Sequence, residues 1–279
     1  MKYGLVLEGG GMRGAYTVGV LDEFMERGVS FDYVIGVSAG ASNGVSFVSK
    51  QKGRSLRINT EYLKDKRYLS LSNYLKSKSL FGMDFIFDEI PHRLEKFDYT
   101  AFFQNPCEFY AGVTDIETGK PVYFGKERDI CTVLRASSSI PIFSPPVEIN
   151  GRLYLDGGTS DPIPVKKAVE DGCDRVVVVL TRERSYQKNP EKFRPVYKRV
   201  FHQYPQMIHT LDTRHEIYNN ELHYLRSLEK EGRALVIAPK ESLGIGRFEK
   251  EKEKLLSVYR QGRRDAIVNP DFMKDAQPL

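Results

Sequence analysis

The sequence predicts an α/β fold with a mainly parallel central sheet. Short apolar runs that end in glycine alternate with segments of helical periodicity along the 279 residues. The first unit joins the strand Leu5–Leu7 to the strand Tyr33–Val37 through a helix that starts near Gly14. Two strands joined by one helix form a βαβ unit, which requires parallel strands. The run Arg175–Leu180 is almost entirely apolar, as expected for a central parallel strand.

The middle of the chain predicts shorter elements. We expect helices near residues 55–64 and 88–97, followed by a hairpin of two strands around the turn 117–120. A helix over 129–137 precedes a second hairpin, whose strands flank Asn150-Gly151. This dipeptide favours a tight two-residue turn and is the strongest hairpin signal in the chain.

The C-terminal part continues the alternation. A helix over 164–171 precedes the apolar strand, and residues 182–205 are polar and basic, which indicates a connection on the surface. A helix near 206–230, a strand at 234–237 and a helix near 247–261 follow. We therefore expect one domain without internal repeats. Its catalytic core is residues 1–181, and residues 182–279 form a helical and strand extension packed on the same domain.

Composition excludes several classes of protein. The chain is 41% hydrophobic and 28% charged, which is ordinary for a globular protein. No run of about 18 apolar residues is present, which excludes a membrane-spanning helix. The N-terminal apolar run is too short for a signal peptide. Three scattered cysteines suit neither a disulfide framework nor a metal motif. We expect a cytoplasmic protein.

Basic residues are concentrated in two segments. The net charge of +5 is too mild to indicate nucleic acid, but residues 50–78 hold nine basic and two acidic side chains. A second basic cluster runs from Arg182 to Arg199. Tyrosine and leucine residues are interleaved with the first segment. It is either a mobile cover that meets an anionic membrane surface or a solvated basic helix face.

The pentapeptide Gly36-Val37-Ser38-Ala39-Gly40 places a serine between an apolar strand and a helix. A G-x-S-x-G sequence in this context is typical of a nucleophile elbow, a strained turn that exposes the serine hydroxyl. The turn lies at the carboxyl end of a strand, where open α/β sheets bind their ligands. Ser38 is therefore the predicted nucleophile.

A glycine loop, Gly9-Gly10-Gly11-Met12-Arg13-Gly14, follows the first strand. It satisfies G-x-G-x-x-G, but a dinucleotide site expects an acid at the end of the second strand, and Asp32 lies at the beginning of that strand. A glycine loop at a helix N-terminus also donates backbone N–H groups to an anion. If that anion is a tetrahedral oxyanion, the glycines allow close approach and Arg13 adds positive charge.

The base is predicted to be an aspartate. Asp156-Gly157-Gly158 follows an apolar strand, and its two glycines allow a loop to approach the serine closely. An aspartate can act alone as general base if it contacts the hydroxyl. A histidine-containing triad is the alternative, and its candidates fall in or just before the long C-terminal helix without a loop to present them: His202, His209, His215 and His223.

Together these three motifs resemble the patatin-like phospholipase family. The segment from Ala136 to Pro141, which precedes the aspartate, is also similar to that family. The resemblance implies a patatin-like, three-layer α/β/α fold and hydrolysis of acyl esters of phospholipids or lysophospholipids without cofactor or metal. It implies Ser38 as nucleophile, Asp156 as base, and an oxyanion hole built from Gly10, Gly11, Met12 and Arg13.

One position departs from the family pattern. Many members carry an asparagine a few residues after Asp-Gly-Gly, where this chain has Asp161. We expect Asp161 to cap the following helix and, as a carboxylate near Asp156, to raise the pKa of one of the two. Two alternatives to the lipid hydrolase stay open. One is a non-catalytic lipid-binding or regulatory protein that keeps the pocket, and the other is a Ser-His-Asp carboxylesterase.

Overall fold

An eight-stranded sheet lies at the centre of the fold. The computed structural model describes residues 1–266. Five strands run parallel in the order β3-β2-β1-β7-β8, and β4, β5 and β6 join by antiparallel pairs. The prediction of a mainly parallel sheet is confirmed. The strands are β1 Tyr3–Leu7, β2 Tyr33–Val37, β3 Glu108–Asp115, β4 Pro121–Phe124, β5 Val147–Ile149, β6 Arg152–Asp156, β7 Arg175–Val179 and β8 Ala234–Ile237.

Helices cover both faces of the sheet, which gives the expected three layers. Side chains alternate between the faces along each buried strand: Leu5 and Leu7 enter one core, and Val6 enters the other. The helices are α1 Ala15–Glu26, α2 Ala39–Val48, α3 Arg54–Glu61, α4 Leu71–Ser77, α5 Tyr99–Gln104, α6 Ile130–Ser137, α7 Val165–Glu170, α8 Arg194–Val200, α9 Pro205–Lys230 and α10 Lys252–Asp265.

Strand β3 carries neighbours on both edges, and its register decides where the loops meet. Its residues Ala111 and Gly112 pair with both β2 and β4, and Val113 and Thr114 pair with both β4 and β6. A strand has only two edges for pairing. Strand β4 therefore occupies one edge of β3, and β2 and β6 share the other. The carboxyl ends of β2 and β6 therefore meet head to head along β3.

Most predicted elements are present, and three differ. Asn150 and Gly151 have φ of 52° and 77°, as a tight turn between β5 and β6 requires. The helix expected near 88–97 is a π-helical segment, Phe85–Leu94, and the last helix begins at Lys252 rather than near residue 247. The description of residues 182–205 as a surface connection is wrong in part, because they contain α8 and the buried Tyr197.

Helices α10 and α1 cross so closely that their backbones are in contact at Gly19. A Cβ atom added to Gly19 would lie 2.1 Å from the backbone oxygen of Tyr259. Tyr259 also donates through its hydroxyl to Asp22 at 3.0 Å, and Arg263 forms a 2.6 Å ion pair with Glu23. This crossing fixes the C-terminal helix to the helix that follows the glycine loop.

No helix within residues 1–266 is both long enough and apolar enough to cross a bilayer.

We predict that Gly19→Ala destabilises the protein. The added methyl group must separate two backbones, and overpacking of this kind costs about 1–3 kcal/mol. We expect the melting temperature to fall by about 2–10 °C, measured by differential scanning calorimetry. Gly246→Ala is the matched control, because no heavy atom lies within 4 Å of its added Cβ. Equal melting temperatures for the two variants would contradict the tight crossing.

Candidate active site

Ser38 occupies a strained turn between β2 and α2. Its φ of 54° and ψ of −126° are unfavourable for a residue with a side chain. The turn is also crowded, since a Cβ on Gly40 would lie 2.3 Å from the backbone oxygen of Leu7. The backbone N–H of Ser38 donates to Ser137 Oγ at 2.8 Å, and that hydroxyl donates to the Gly112 carbonyl at 2.7 Å. The turn is thereby tied to β3.

Asp156 is in direct contact with Ser38. The Ser38 hydroxyl donates to Asp156 Oδ2 at 2.7 Å, and the Gly158 N–H donates to Oδ1 at 2.8 Å. Both residues are 7% exposed. Burial raises the pKa of Asp156, although the Ser38 hydrogen bond, the Arg214 charge and the Gly158 N–H oppose the rise. A buried carboxylate in contact with a hydroxyl has the geometry of a general base.

The glycine loop lies beside Ser38, because β1 and β2 are parallel neighbours. Among the predicted oxyanion residues, the Met12 N–H donates to the Arg247 carbonyl at 3.1 Å, and the Arg13 N–H donates to the Gly10 carbonyl at 3.3 Å. The N–H groups of Gly10 and Gly11 donate to no acceptor within residues 1–266. They are the loop donors that a ligand next to Ser38 can engage.

Two cavities meet at Ser38. Ser38, Gly11 and Ile140 line both of them. The first cavity is mainly apolar, and its walls include Val45, Ile58, Phe81, Ile86, Phe97 and Leu134. The second, called the polar cavity, has a larger share of polar surface than the first, and its cationic lining residues are Arg13, Arg182, Lys188, Arg214 and Arg247.

The four late histidines are absent from both cavities. Three of them lie on α9, and His202 lies just before it. Within residues 1–266, therefore, no histidine lines the space around Ser38. The same part of the chain has no group of three His, Cys, Asp or Glu side chains placed to hold a metal ion.

The expected role of Asp161 as a helix cap is wrong. The residue before α7 is Pro164, and Asp161 instead accepts a hydrogen bond from the Tyr123 hydroxyl. Its carboxyl partner is Glu221 of α9 rather than Asp156. Burial, together with the Asp161 charge, raises the pKa of Glu221 well above its usual range.

Arg214 of α9 fastens the loop that follows Asp156, and sequence reasoning missed it. Its Nε donates to the Gly158 carbonyl at 2.7 Å, and its Nη1 pairs with Glu191 at 2.7 Å. Lys188 pairs with the same carboxylate at 2.8 Å. Although burial opposes the change, Arg214 and Lys188 lower the pKa of Glu191 to about 2. No motif marks Arg214, since its partners Gly158 and Glu191 are distant in sequence.

Comparison with known protein families identifies two matching segments. Residues 5–169 match the family model described as "Patatin-like phospholipase". Residues 204–269 match a second model, described as "Domain of unknown function (DUF6363)". The first match contains Ser38, Asp156 and the glycine loop, and the second contains Arg214 and Arg247.

Curated relatives match the same first part of the chain. "Uncharacterized protein YjjU" from Escherichia coli (strain K12) is 33% identical over 198 residues, which are 69% of this chain and 56% of that protein. "Lysophospholipase nte1" from Aspergillus terreus is 28% identical over 185 residues, which are 63% of this chain and 12% of that protein. The chain thus spans about half of the first relative and a small part of the second.

The fold is similar to a solved structure. The crystal structure of VipD from Legionella pneumophila superposes with a TM-score of 0.54 at 15% identity, covering 95% of this chain and 66% of that one. At this identity the similarity concerns the fold alone.

We predict that Arg214→Gln raises the pKa of Asp156. The guanidinium lowers that pKa in the native protein, so its removal shifts ionisation of Asp156 to higher pH. The measurement is the rate at which Ser38 reacts with a fluorophosphonate as a function of pH. We expect the acidic limb of this profile to move to higher pH in Arg214→Gln and to stay close to the wild-type position in Arg214→Lys. Superimposable profiles for all three proteins would contradict the electrostatic role.

Proposed function

The chain belongs to the patatin-like phospholipase family, as its three motifs predicted, and we propose that it hydrolyses acyl esters of phospholipids or lysophospholipids through a Ser38–Asp156 dyad. The observation that carries this proposal is the 2.7 Å hydrogen bond from the Ser38 hydroxyl to a buried carboxylate. The N–H groups of Gly10 and Gly11, which have no acceptor in the part of the chain that the structure describes, lie beside it, and Ser38 also lines an apolar cavity.

In the proposed first step Asp156 accepts the Ser38 proton as the serine oxygen attacks the ester carbonyl. A base with a pKa raised toward neutrality accepts a proton more effectively than an ordinary carboxylate. The N–H groups of Gly10 and Gly11 stabilise the oxyanion, with Met12 and Arg13 completing the loop around it. The positive end of the following helix adds to this stabilisation.

Asp156 then returns the proton to the leaving alcohol, and an acyl-Ser38 ester is left. Water enters next, Asp156 accepts one of its protons, and the resulting hydroxide attacks the acyl carbonyl. Collapse of the second tetrahedral intermediate releases the fatty acid and restores the Ser38 hydroxyl. Each step conserves atoms and requires no metal or cofactor.

We assign the fatty acyl chain to the apolar cavity. Its walls include Val45, Ile58, Ile86 and Leu134, and burial of a chain against such side chains stabilises binding by about 0.8 kcal/mol per methylene group. Ser38 lines this cavity where it meets the polar one, so a chain seated there presents its ester to the hydroxyl. A non-catalytic lipid carrier would need the cavity but not the Ser38–Asp156 contact.

We also propose that the basic segment 50–78 contacts an anionic lipid surface. On α4, Leu71 and Leu75 are each 77% exposed, next to Lys76 and Lys78. Exposed apolar side chains flanked by lysines suit the boundary between headgroups and acyl chains. Neighbouring residues of this segment, including Tyr68, line the apolar cavity, so the surface and the cavity adjoin.

The test of the dyad is loss of both activity and labelling. We predict that Ser38→Ala and Asp156→Asn each lower kcat/KM for a chromogenic acyl ester by at least about a hundredfold. A fluorophosphonate should label the wild type and not Ser38→Ala. Ser227→Ala, a serine replacement on α9 outside both cavities, is the control and should be labelled normally. Wild-type turnover by either dyad variant would refute the mechanism, and an unlabelled, inactive wild type would favour a non-catalytic lipid-binding protein.

The test of the lipid surface is vesicle sedimentation. We predict that Leu71→Ser/Leu75→Ser weakens binding to phosphatidylglycerol vesicles severalfold, because two apolar anchors are lost. Wild-type binding should also weaken as salt screens the lysines. The matched control is Val196→Ser/Val200→Ser, which removes two exposed apolar residues from α8. Binding that is insensitive to salt, or equal loss in both double variants, would argue against α4 as the contact.

A further inference from the structure

The polar cavity beside Ser38 contains guanidinium groups that its carboxylates do not neutralise. Two of its five cations, Arg214 and Lys188, are paired with Glu191. The other three are Arg13, Arg182 and Arg247, and none of them forms an ion pair within residues 1–266. The cavity therefore carries excess positive charge.

Arg13 is the most deeply buried of the three. It is 6% exposed, and its Nε has no hydrogen-bond partner within the described part of the chain. Burial, together with the charges of Arg182 and Arg247, lowers the pKa of Arg13 to about 10, although the Glu8 charge opposes the change, and Arg13 remains charged at neutral pH. A buried cation without a partner is costly, and such groups are normally paired or bound to a ligand of opposite charge.

Arg182 and Arg247 complete the group from the C-terminal part of the chain. The Arg182 guanidinium lies 4.6 Å from the centre of the Tyr186 ring, which fixes its direction without neutralising it. The Arg247 backbone is held by the Met12 N–H, and its side chain donates no hydrogen bond within residues 1–266. Burial lowers the pKa of Arg247, and the Arg214 charge adds to this effect.

The nearby carboxylates are already engaged. Glu8 accepts hydrogen bonds from the backbone and hydroxyl of Thr181 and from the Tyr218 hydroxyl. Asp156 accepts from Ser38, and Glu191 is held by Arg214. The Glu8 charge still acts on Arg13, and the charges of Asp156 and Glu191 act on Arg247. These three carboxylates face five cations, however, so the lining formed by residues 1–266 keeps a net positive charge that an added anion can balance.

We propose that Arg13, Arg182 and Arg247 form a binding site for a phosphate group, and that the group is the headgroup phosphate of the substrate. Guanidinium groups bind phosphate through paired N–H donors, and several oxygens allow one phosphate to engage more than one arginine. This assignment rests on the proposed function, because it places the acyl chain and the phosphate in the two cavities on either side of Ser38. Such a site favours acylglycerols that carry a phosphate group over neutral acylglycerols.

The site also gives a role to the C-terminal segment. Arg182 lies beyond the phospholipase match, and Arg247 lies within the segment described as a domain of unknown function. In this proposal, Arg182 and Arg247 of the C-terminal part of the chain bind the headgroup, and the first segment provides the Ser38–Asp156 dyad.

The first experiment compares two lipids with the same acyl chain. We expect the wild type to have a kcat/KM for oleoyl lysophosphatidic acid at least about tenfold above that for monooleoylglycerol, both presented in the same detergent micelles. Arg247→Gln and Arg182→Gln should each reduce this ratio about tenfold or more. Arg260→Gln, which removes an exposed arginine of α10 outside both cavities, should leave the ratio unchanged.

The second experiment measures phosphate binding without catalysis. Glycerol 3-phosphate and inorganic phosphate should each raise the melting temperature of Ser38→Ala, and glycerol should not. The shift should be lost when Arg247→Gln or Arg182→Gln is added. A phosphate-dependent shift that the arginine variants abolish, with an unchanged lipid ratio, would assign the site to free phosphate rather than to a headgroup.

The two experiments separate this inference from the proposed function. If the wild type hydrolyses neither lipid and resists the fluorophosphonate, the proposed function fails, and the melting shift still decides whether the phosphate site exists. The site would be overturned if neither phosphate compound raised the melting temperature. It would also be overturned if the arginine variants kept both the wild-type melting shift and the wild-type ratio of kcat/KM for the two lipids.

Discussion

The register of β3 is the constraint on which the rest of the site depends. Val37 of β2 pairs with Gly112, and Asp156 of β6 pairs with Val113, the next residue along the same strand. Two strands of opposite direction therefore end against neighbouring positions on one edge. This arrangement brings Ser38 and Asp156 to 2.7 Å although 118 residues separate them. The contact is built from backbone pairing, so neither side chain depends on a long loop for its position.

Burial and charge act in opposite directions on the carboxylate held there. Removal of water raises the pKa of Asp156, and the hydroxyl of Ser38, the charge of Arg214 and the N–H of Gly158 counter that rise. The balance matters because a base must be ionised at the working pH and still accept a proton readily. Arg214 opposes the effect of burial in two ways: its charge lowers the pKa of Asp156, and it anchors the Gly158 carbonyl in the loop whose N–H contacts the carboxylate. Arg214 therefore both positions the loop beside Asp156, the proposed base, and lowers the pKa of that carboxyl.

Features of the fold that depend on a few consecutive residues could be predicted from the sequence. The βαβ unit, the strained turn at Ser38 and the tight turn at Asn150 each depend on a few consecutive residues, and all three are present. The meeting of β2 and β6 along one edge of β3 was not predictable, because strand register follows from long-range packing that no local motif encodes. For the same reason the role of Asp161 was misread, since its partners Tyr123 and Glu221 are distant in sequence. Arg214 and Arg247 carry no motif and were missed.

The two cavities differ in which part of the chain builds them. Every residue that lines the apolar cavity lies between positions 11 and 140, within the segment that matches the phospholipase family. Of the cations in the polar cavity, only Arg13 belongs to that segment, and the others follow residue 169. The Ser38–Asp156 pair and the apolar cavity can thus remain as they are while a different C-terminal segment changes the residues that line the polar cavity. Fold and chemistry need not specify a substrate when recognition comes from residues added to the same scaffold. On this view the headgroup, rather than the acyl chain, is the part of the substrate that the C-terminal segment selects.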